Sequence, residues 1–195
     1  MIEILERKRL DALREHIPVM RPLTAKLLAE EVEKLRPERT LEIGTCIGLG
    51  AINILLSGGK RVTTIELDED RYFAAKKNLK EFGLSDRCEI ILGDCKEIVP
   101  FMSENKYDFI VLDGPKSYYP EVYPYLKKML LPAGKIFVDD VLFHGMVHTC
   151  NIPARKHRTN VNALRSFIEI VKGDEDMVLK KYDFEDGVFL LTKRG

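Results

Sequence analysis

Four residues in the second half of the chain have types and spacings suited to handling a cation and a proton. Asp113 and Lys116 stand three apart in Asp113-Gly114-Pro115-Lys116, and Asp139 is followed directly by Asp140. Each set closes a short apolar run, 109–112 and 135–138, of the kind that forms a buried parallel strand. If those runs are neighbours in one parallel sheet, their ends converge. Three carboxylates in a small volume repel one another unless a cation is present. Oxygen-only ligands suit a hard ion such as magnesium or another divalent cation. The competing use of each aspartate is to cap a helix or turn; the pairing, with a lysine close by, favours the metal. Lys116 becomes a proton acceptor if burial and a nearby cation depress its pKa. Its competing use is that of an ordinary solvated lysine.

A second group lies in the first half. Glu42-Ile43-Gly44-Thr45-Cys46-Ile47-Gly48-Leu49-Gly50 closes the first apolar run. Its glycines are spaced GxxxGxG, not the GxGxxG of a dinucleotide site, and Asn53 stands where the last glycine of that fingerprint would fall. Glu42 also sets a carboxylate beside a loop that a pyrophosphate would need bare. A cationic ligand tolerates that carboxylate, and S-adenosylmethionine carries both a sulfonium and an ammonium. The second run ends in Glu66, 22 residues after Gly44, where an acid can accept both hydroxyls of a ribose. The third ends Leu92-Gly93-Asp94-Cys95. Asp94 there either reads an adenine amino group or caps the next helix. For the second run the capping role falls more naturally to Asp68.

The elements that must position these groups alternate. Candidate strands are Arg39–Ile43, Arg61–Glu66, Cys88–Leu92, 109–112 and 135–138. Candidate helices lie between them at Leu49–Leu56, 69–82, 95–102 and 118–130, with Gly83, Gly93, Gly114 and Pro132-Ala133-Gly134 as turns. This pattern predicts an α/β fold with a mostly parallel sheet and helices on both faces. Two helices precede it within residues 1–37, the second with Pro22 in its first turn. A further amphipathic helix carries Val161, Leu164, Phe167, Ile168 and Val171 on one face, and Met177–Tyr182 and 188–192 close the chain as an antiparallel hairpin.

At 195 residues the chain suits a single domain, 1–195. Thirty-one basic and 31 acidic residues cancel, so net charge gives no overall pull toward nucleic acid or membrane. No apolar run approaches the roughly 20 residues that span a bilayer, and the charged N-terminus does not read as a signal peptide. A cytoplasmic protein is expected. Cys46, Cys88, Cys95 and Cys150 include no CxxC pair, which argues for reduced thiols. The densest basic cluster is Arg155-Lys156-His157-Arg158, either a phosphate contact flanking the site or a solvated helix start. His144 and His148 are four apart, but Gly145 argues against the helix that a zinc pair would need. His148 or His157 could instead line a substrate pocket.

Glu42-Ile43-Gly44-Thr45 with Gly48, then Glu66, then Gly93-Asp94, resembles the cofactor series of the class I S-adenosylmethionine-dependent methyltransferases, whose fold is a Rossmann-like sheet. The resemblance implies that Glu42 and Gly44 lie near the methionine portion, that Glu66 holds ribose, and that Asp94 and Cys95 hold adenine. It adds Met20, Thr45, Gly48, Gly50 and Asp113 to the cofactor-binding set. The second half resembles the cation-dependent O-methyltransferases that include the catechol and caffeoyl-CoA enzymes. Asp113-Gly114-Pro115-Lys116 is similar to their D-x-x-K segment, which puts Lys116 in the catalytic-base position. Asp139-Asp140 is similar to their D-N metal pair, with Asp140 in place of Asn. A third formal charge would bind a metal more strongly and blunt its Lewis acidity.

Three segments, His16-Ile17-Pro18-Val19-Met20, Val141-Leu142-Phe143-His144-Gly145 and Lys156-His157-Arg158-Thr159-Asn160-Val161, resemble the bacterial branch that methylates 5-hydroxyuridine at the tRNA wobble position. The expected activity is therefore metal-assisted O-methyl transfer from S-adenosyl-L-methionine to tRNA. A small catechol-like aromatic hydroxyl is the second acceptor class. A non-catalytic cofactor-binding module is the alternative that Asp140 favours and the trio Asp113, Lys116 and Asp139 opposes. The apolar N-terminal stripe and the closing hairpin offer a seam for a homodimer.

Overall fold

The computed structural model describes residues 1–149 and 153–195. Cys150 lies outside the described residues. The chain divides into two compact units, Met1–Cys95 and Lys96–Gly195.

In the first unit, helices α1 (Ile2–Arg14) and α2 (Pro22–Leu35) precede a strand–helix alternation. The alternation runs β1 (Arg39–Ile43), α3 (Leu49–Leu56), β2 (Arg61–Glu66), α4 (Glu69–Glu81) and β3 (Cys88–Leu92). The strands are ordered β3-β2-β1 and pair in parallel, with Ile43 beside Ile65 and Glu66 beside Leu92. That register brings the carboxyl ends of all three strands level. Pro22 occupies the first turn of α2, where its missing N–H costs nothing. Asp68 caps α4 by accepting from the Arg71 amide at 3.0 Å, as the sequence suggested. Polar side chains tie the helices together. Asn53 Nδ2 donates to the Ala25 carbonyl at 2.8 Å, and Lys8 pairs with Glu81 at 2.7 Å and donates to Asn78 Oδ1 at 3.0 Å.

The second unit starts within α5 (Cys95–Ile98) and continues through β4 (Tyr107–Leu112), α6 (Tyr119–Met129), β5 (Leu130–Asp139), α7 (Arg158–Lys172), β6 (Met177–Tyr182) and β7 (Val188–Lys193). Its strands are ordered β4-β5-β7-β6, with β4 and β5 parallel and β7 antiparallel to both β5 and β6. The closing hairpin expected from the sequence is thus present. Phe109, Ile110, Val111, Ile136, Phe137 and Val138 are all fully buried, which is why these runs lack polar alternation. The apolar face of α7 is buried as read, through Val161, Leu164, Phe167, Ile168 and Val171.

Two boundaries differ by more than two residues from the sequence reading. The 95–102 segment is helical only to Ile98 and continues as a 3-10 turn, Val99–Phe101, because Pro100 has no amide to donate. Strand β5 begins at Leu130, five residues earlier than expected, since Leu130 also pairs with Tyr107 of β4. The Pro132-Ala133-Gly134 signal is absorbed as an irregularity inside the strand, with Ala133 at φ 61° and a register shift between Tyr107 and Phe109.

Candidate active site

The glycine loop of the first unit is a backbone knot tied to the end of β2. Gly44, Cys46 and Gly48 all have positive φ, at 96°, 48° and 85°. The amides of Gly44 and Thr45 donate to the Ile65 carbonyl at 3.1 and 3.3 Å, and the Gly48 amide donates to the Thr45 carbonyl at 2.8 Å. Gly48 then opens α3 as its N-cap. A Cβ there would press on Ala75 at 3.1 Å.

Glu42, only 2% exposed, lies beneath this loop. Its Oε2 accepts from the Thr64 hydroxyl at 2.7 Å, and the Thr45 and Thr64 hydroxyl oxygens are 2.6 Å apart. Thr64 has one hydroxyl hydrogen and directs it to Glu42, so Thr45 is the donor between the two threonines. Gly50 completes the arrangement, because a Cβ on it would occupy the place of the Glu42 carboxylate. The third glycine of GxxxGxG is therefore needed for the acid eight positions before it, a relation that spacing alone does not disclose.

Glu66, 7% exposed, does more than the sequence suggested. Its Oε2 accepts from the Cys46 amide at 2.7 Å, and its Oε1 accepts from the Leu67 and Asp68 amides at 3.0 Å each. Three of about four acceptor positions are committed to backbone, so the carboxylate shapes the loop while retaining room for one further donor. Asp94 follows Gly93, whose amide donates to the Glu66 carbonyl at 2.8 Å, and it directly precedes α5, which begins at the buried Cys95. Met20 is buried, and its carbonyl accepts from Arg9 Nη1 at 2.8 Å. Arg9 is a fully buried arginine that the sequence reading did not single out. It shares the buried face of α1 with Leu5 and Ala12, whereas Ile2 and Leu10 of the expected apolar stripe are exposed.

In the second unit the register of β4 on β5 pairs Leu112 with Val138, so Asp113 and Asp139 leave neighbouring strands side by side. Lys116 sits in a 3-10 turn, Lys116–Tyr118, that follows Pro115. Its Nζ donates to Asp113 Oδ1 at 2.9 Å and to Tyr119 Oη at 2.8 Å, with Asp140 Oδ2 at 3.8 Å. The Asp140 amide donates to Asp139 Oδ1 at 2.7 Å, and Asp140 has φ 56°. Asp140 Oδ1 is buried with no hydrogen-bond partner. The expected convergence of Asp113, Lys116, Asp139 and Asp140 is therefore present within this unit.

The electrostatics of this metal-free cluster keep Lys116 charged. Burial pulls the Lys116 ammonium down, but Tyr119, Asp113, Asp140 and Asp139 outweigh it and hold the pKa well above the usual value. Lys116 is thus a held cation here. Burial and the Asp113 carboxylate push Asp139 well above the carboxylate range despite Lys116. Burial raises Asp140 to about 6. The sequence also suggested a three-carboxylate metal set. Among the described residues no group of three His, Cys, Asp or Glu side chains is gathered closely enough to be a metal centre.

Tyr119 was missed by the sequence reading, although a tyrosine three residues after Lys116 at a helix start was there to be seen. It is fully buried, with Oη 3.1 Å from the carbonyls of both Leu112 and Asp139. His144 and His148 do not form a helical pair. Phe143, His144 and Gly145 all have positive φ, and the His144 amide and Nδ1 both contact Asp186 Oδ1 at 3.2 Å. Arg155, Lys156 and Arg158 are exposed at the entry to α7, and the His157 ring meets Phe143 edge-on at 5.6 Å.

Residues 4–194 match the family model of the O-methyltransferases. This chain belongs to the O-methyltransferase family. Among curated proteins this O-methyltransferase is similar to the "Probable caffeoyl-CoA O-methyltransferase 1" of Dictyostelium discoideum, 26% identical over 168 residues that cover 83% of this chain and 72% of that protein. Among solved structures it is similar to a Staphylococcus aureus protein provisionally named a caffeoyl-CoA O-methyltransferase. The TM-score is 0.90 at 26% identity, over 97% of this chain and 91% of that one. The O-methyltransferase TomG of Streptomyces achromogenes, solved in complex with S-adenosylmethionine, shares the fold at TM-score 0.85 and 24% identity, over 98% and 89% of the two chains. The mostly parallel, Rossmann-like fold with a closing antiparallel hairpin is thus that of the methyltransferases. No helix among the described residues is long and apolar enough to cross a membrane.

Proposed function

We propose that this O-methyltransferase moves the methyl group of S-adenosyl-L-methionine to a hydroxyl that has a second oxygen beside it, and that its acceptor is 5-hydroxyuridine at the tRNA wobble position. The observation that carries the reaction type is the part-buried Lys116 ammonium held between Asp113 and Tyr119 at the ends of two parallel strands. S-adenosyl-L-methionine supplies an already activated methyl, so the protein's task is to bind, align and deprotonate. In this reading the Glu42 carboxylate and the loop of Gly44, Thr45, Gly48 and Gly50 receive the cationic methionine end, with Met20 at its side. Glu66 offers its remaining acceptor position to ribose, Asp94 and Cys95 contact adenine, and Asp113 borders the cofactor.

The donor chemistry of Asp113, Asp139 and Asp140 suits a divalent ion. The ligands are hard oxygens, one buried carboxylate oxygen has no partner, and two of the acids are pushed toward protonation. Magnesium or another divalent ion held by these three would supply Lewis acidity to a bound hydroxyl and would offset the negative charge that keeps Lys116 protonated. Lys116, having first given its extra proton to solvent, accepts the hydroxyl proton, the oxygen takes the methyl group as the methyl–sulfur bond breaks, and S-adenosylhomocysteine is the co-product.

Exposed Arg155, Lys156 and Arg158, together with His157, supply phosphate contacts for the tRNA reading. The caffeoyl-CoA names of the relatives favour a second reading, a small catechol-like acceptor. The deciding experiment incubates the protein with S-adenosyl-L-methionine, magnesium and tRNA containing 5-hydroxyuridine, beside catechol and chelator arms, and reads digested nucleosides by mass spectrometry. A magnesium-dependent methyl on 5-hydroxyuridine supports the proposal. Methyl transfer to catechol alone discards the tRNA acceptor.

A further inference from the structure

Tyr119 has more hydrogen-bonding roles than a core tyrosine requires. Its ring is fully buried and packs edge-on against Phe167 of α7 at 5.6 Å. Its oxygen lies 3.1 Å from the Leu112 carbonyl, which ends β4, and 3.1 Å from the Asp139 carbonyl, which ends β5. A phenol has one hydrogen, and carbonyls can only accept, so that hydrogen is committed to the strand ends. Towards Lys116 Nζ at 2.8 Å, Tyr119 can therefore act only as an acceptor.

This fixed polarity determines how the lysine presents itself. Asp113 Oδ1 takes a second N–H at 2.9 Å. Asp140 Oδ2, at 3.8 Å, lies beyond hydrogen-bond length. In the ammonium form, two hydrogens are tied down and the third points away from both acceptors. In the neutral amine the same two acceptors hold both remaining hydrogens, which leaves the lone pair in the third direction. We infer that Tyr119 is a positioning residue whose hydroxyl, locked as an acceptor by the ends of β4 and β5, works with Asp113 to aim the Lys116 lone pair. The inference rests on the reading of Lys116 as proton acceptor. A lone pair left to rotate would face the substrate proton only part of the time, and small misplacements at a reacting centre cost up to about 100-fold in rate.

Tyr123 provides a matched control within the same helix. Its ring also meets Phe167 edge-on, at 5.5 Å, but its hydroxyl donates to Asp174 at 2.8 Å, away from the lysine. The test compares Tyr119→Phe, Tyr123→Phe and Lys116→Met in the full chain, with 15N-lysine labelling to observe the Lys116 ammonium, assigned by its loss in Lys116→Met. Tyr119→Phe is expected to speed hydrogen exchange at that ammonium at least ~10-fold. It is also expected to lower kcat on 5-hydroxyuridine tRNA by ~10–100-fold, with KM for S-adenosyl-L-methionine within about 2-fold. Tyr123→Phe should change neither. An unaltered Lys116 ammonium in Tyr119→Phe, or a kcat equal to that of Tyr123→Phe, would overturn the inference while leaving Lys116 as the base. Wild-type turnover by Lys116→Met would instead overturn the reading of Lys116, and with it the catalytic purpose of the Tyr119 contact.

Discussion

Gly50→Ala tests the cofactor loop more sharply than removal of any acid, because the expected sign opposes what helix propensity alone would give. Gly50 is the second residue of α3, and alanine in a helix is favoured over glycine by at most ~1 kcal/mol. The new methyl group would, however, take the place of Glu42 Oε1, with Glu42 Cδ only 3.3 Å away. An exposed carboxylate would swing aside at little cost. Glu42 is 2% exposed and accepts from Thr64 at 2.7 Å, so moving it breaks a charge-assisted hydrogen bond of ~1.5–3 kcal/mol and strands a buried acid. Subtracting the propensity gain leaves a net loss of about 1–2 kcal/mol.

For a chain of this length that lowers Tm by about 2–8 °C. S-adenosyl-L-methionine affinity, read by calorimetric titration, should fall by at least ~10-fold as Glu42 leaves its place. Gly173→Ala is the control. Its Cβ would meet only the Glu169 and Ile170 carbonyls, at 3.5 and 3.8 Å, with φ at −85°, so Tm should hold or rise slightly. Adding Glu42→Asp to Gly50→Ala shortens the acid and should cost less than the sum of the two single changes. Gly50→Ala with wild-type Tm and wild-type affinity would refute the placement of Glu42 against the loop.

Other expectations are as direct. Folded Asp140 has a pKa raised to about 6 by burial, so its ionisation opposes folding: its stabilising contribution is complete below the unfolded value near 4 and is lost as pH rises through 6. Chemical denaturation of metal-free protein between pH 4.5 and 7.5 should show Asp140→Asn gaining up to ~2–3 kcal/mol on the wild type across that window. Asp174→Ala removes the acceptor of the Tyr123 hydroxyl at 2.8 Å and of Lys127 at 2.7 Å, and should cost ~2–3 kcal/mol, read as a fall in Tm of about 4–12 °C. The Cys88 thiol, raised to about 12 by burial with Glu42 and Glu89 adding to it, should resist iodoacetamide at pH 8 in the native protein, as peptide mapping would show. Replacing Arg155, Lys156 and Arg158 together should weaken tRNA binding and flatten its salt dependence by up to about three phosphate contacts in a filter-binding series.

What the sequence disclosed and what it withheld divide along physical lines. Strand ends were legible because a strand buried on both faces is a continuous apolar run, and the first charged residue after it marks the carboxyl edge: Glu66, Asp113 and Asp139 were all located that way. Register followed, since parallel strands of similar length with level ends leave little choice. The start of β5 was not legible, because a Pro-Ala-Gly string signals a turn and only pairing with β4 turns it into a bulge. The roles of Gly50 and Tyr119 were not legible either. Each depends on a contact with a group elsewhere in the fold, the Glu42 carboxylate and the paired strand-end carbonyls, and neither leaves a periodic trace. The charge balance around Lys116 in the metal-free protein was not legible for a related reason. Burial alone lowers a lysine, and only the mutual distances of four groups show that the acids and the phenol win.

The charge count at the strand ends connects the departure at Asp140 to the proposed chemistry. Fully ionised, Asp113, Asp139 and Asp140 bring three negative charges, and Lys116 acting as the base is neutral, a sum of −3, where an asparagine at 140 would leave −2. A divalent ion neutralises the second sum and leaves the first at −1. With Asp140 the proposed metal-loaded site is still net negative before an acceptor enters, so a hydroxyl losing its proton gains less from net charge and depends more on where that proton goes. Removing that proton then falls to Lys116, and the aim of its lone pair matters more here than in a site with asparagine. Asp140→Asn should accordingly weaken magnesium affinity and make turnover less sensitive to Tyr119→Phe, a coupling that a double-mutant cycle in kcat would measure directly. Strict additivity of the two substitutions would mean that the extra carboxylate and the tyrosine act on separate steps.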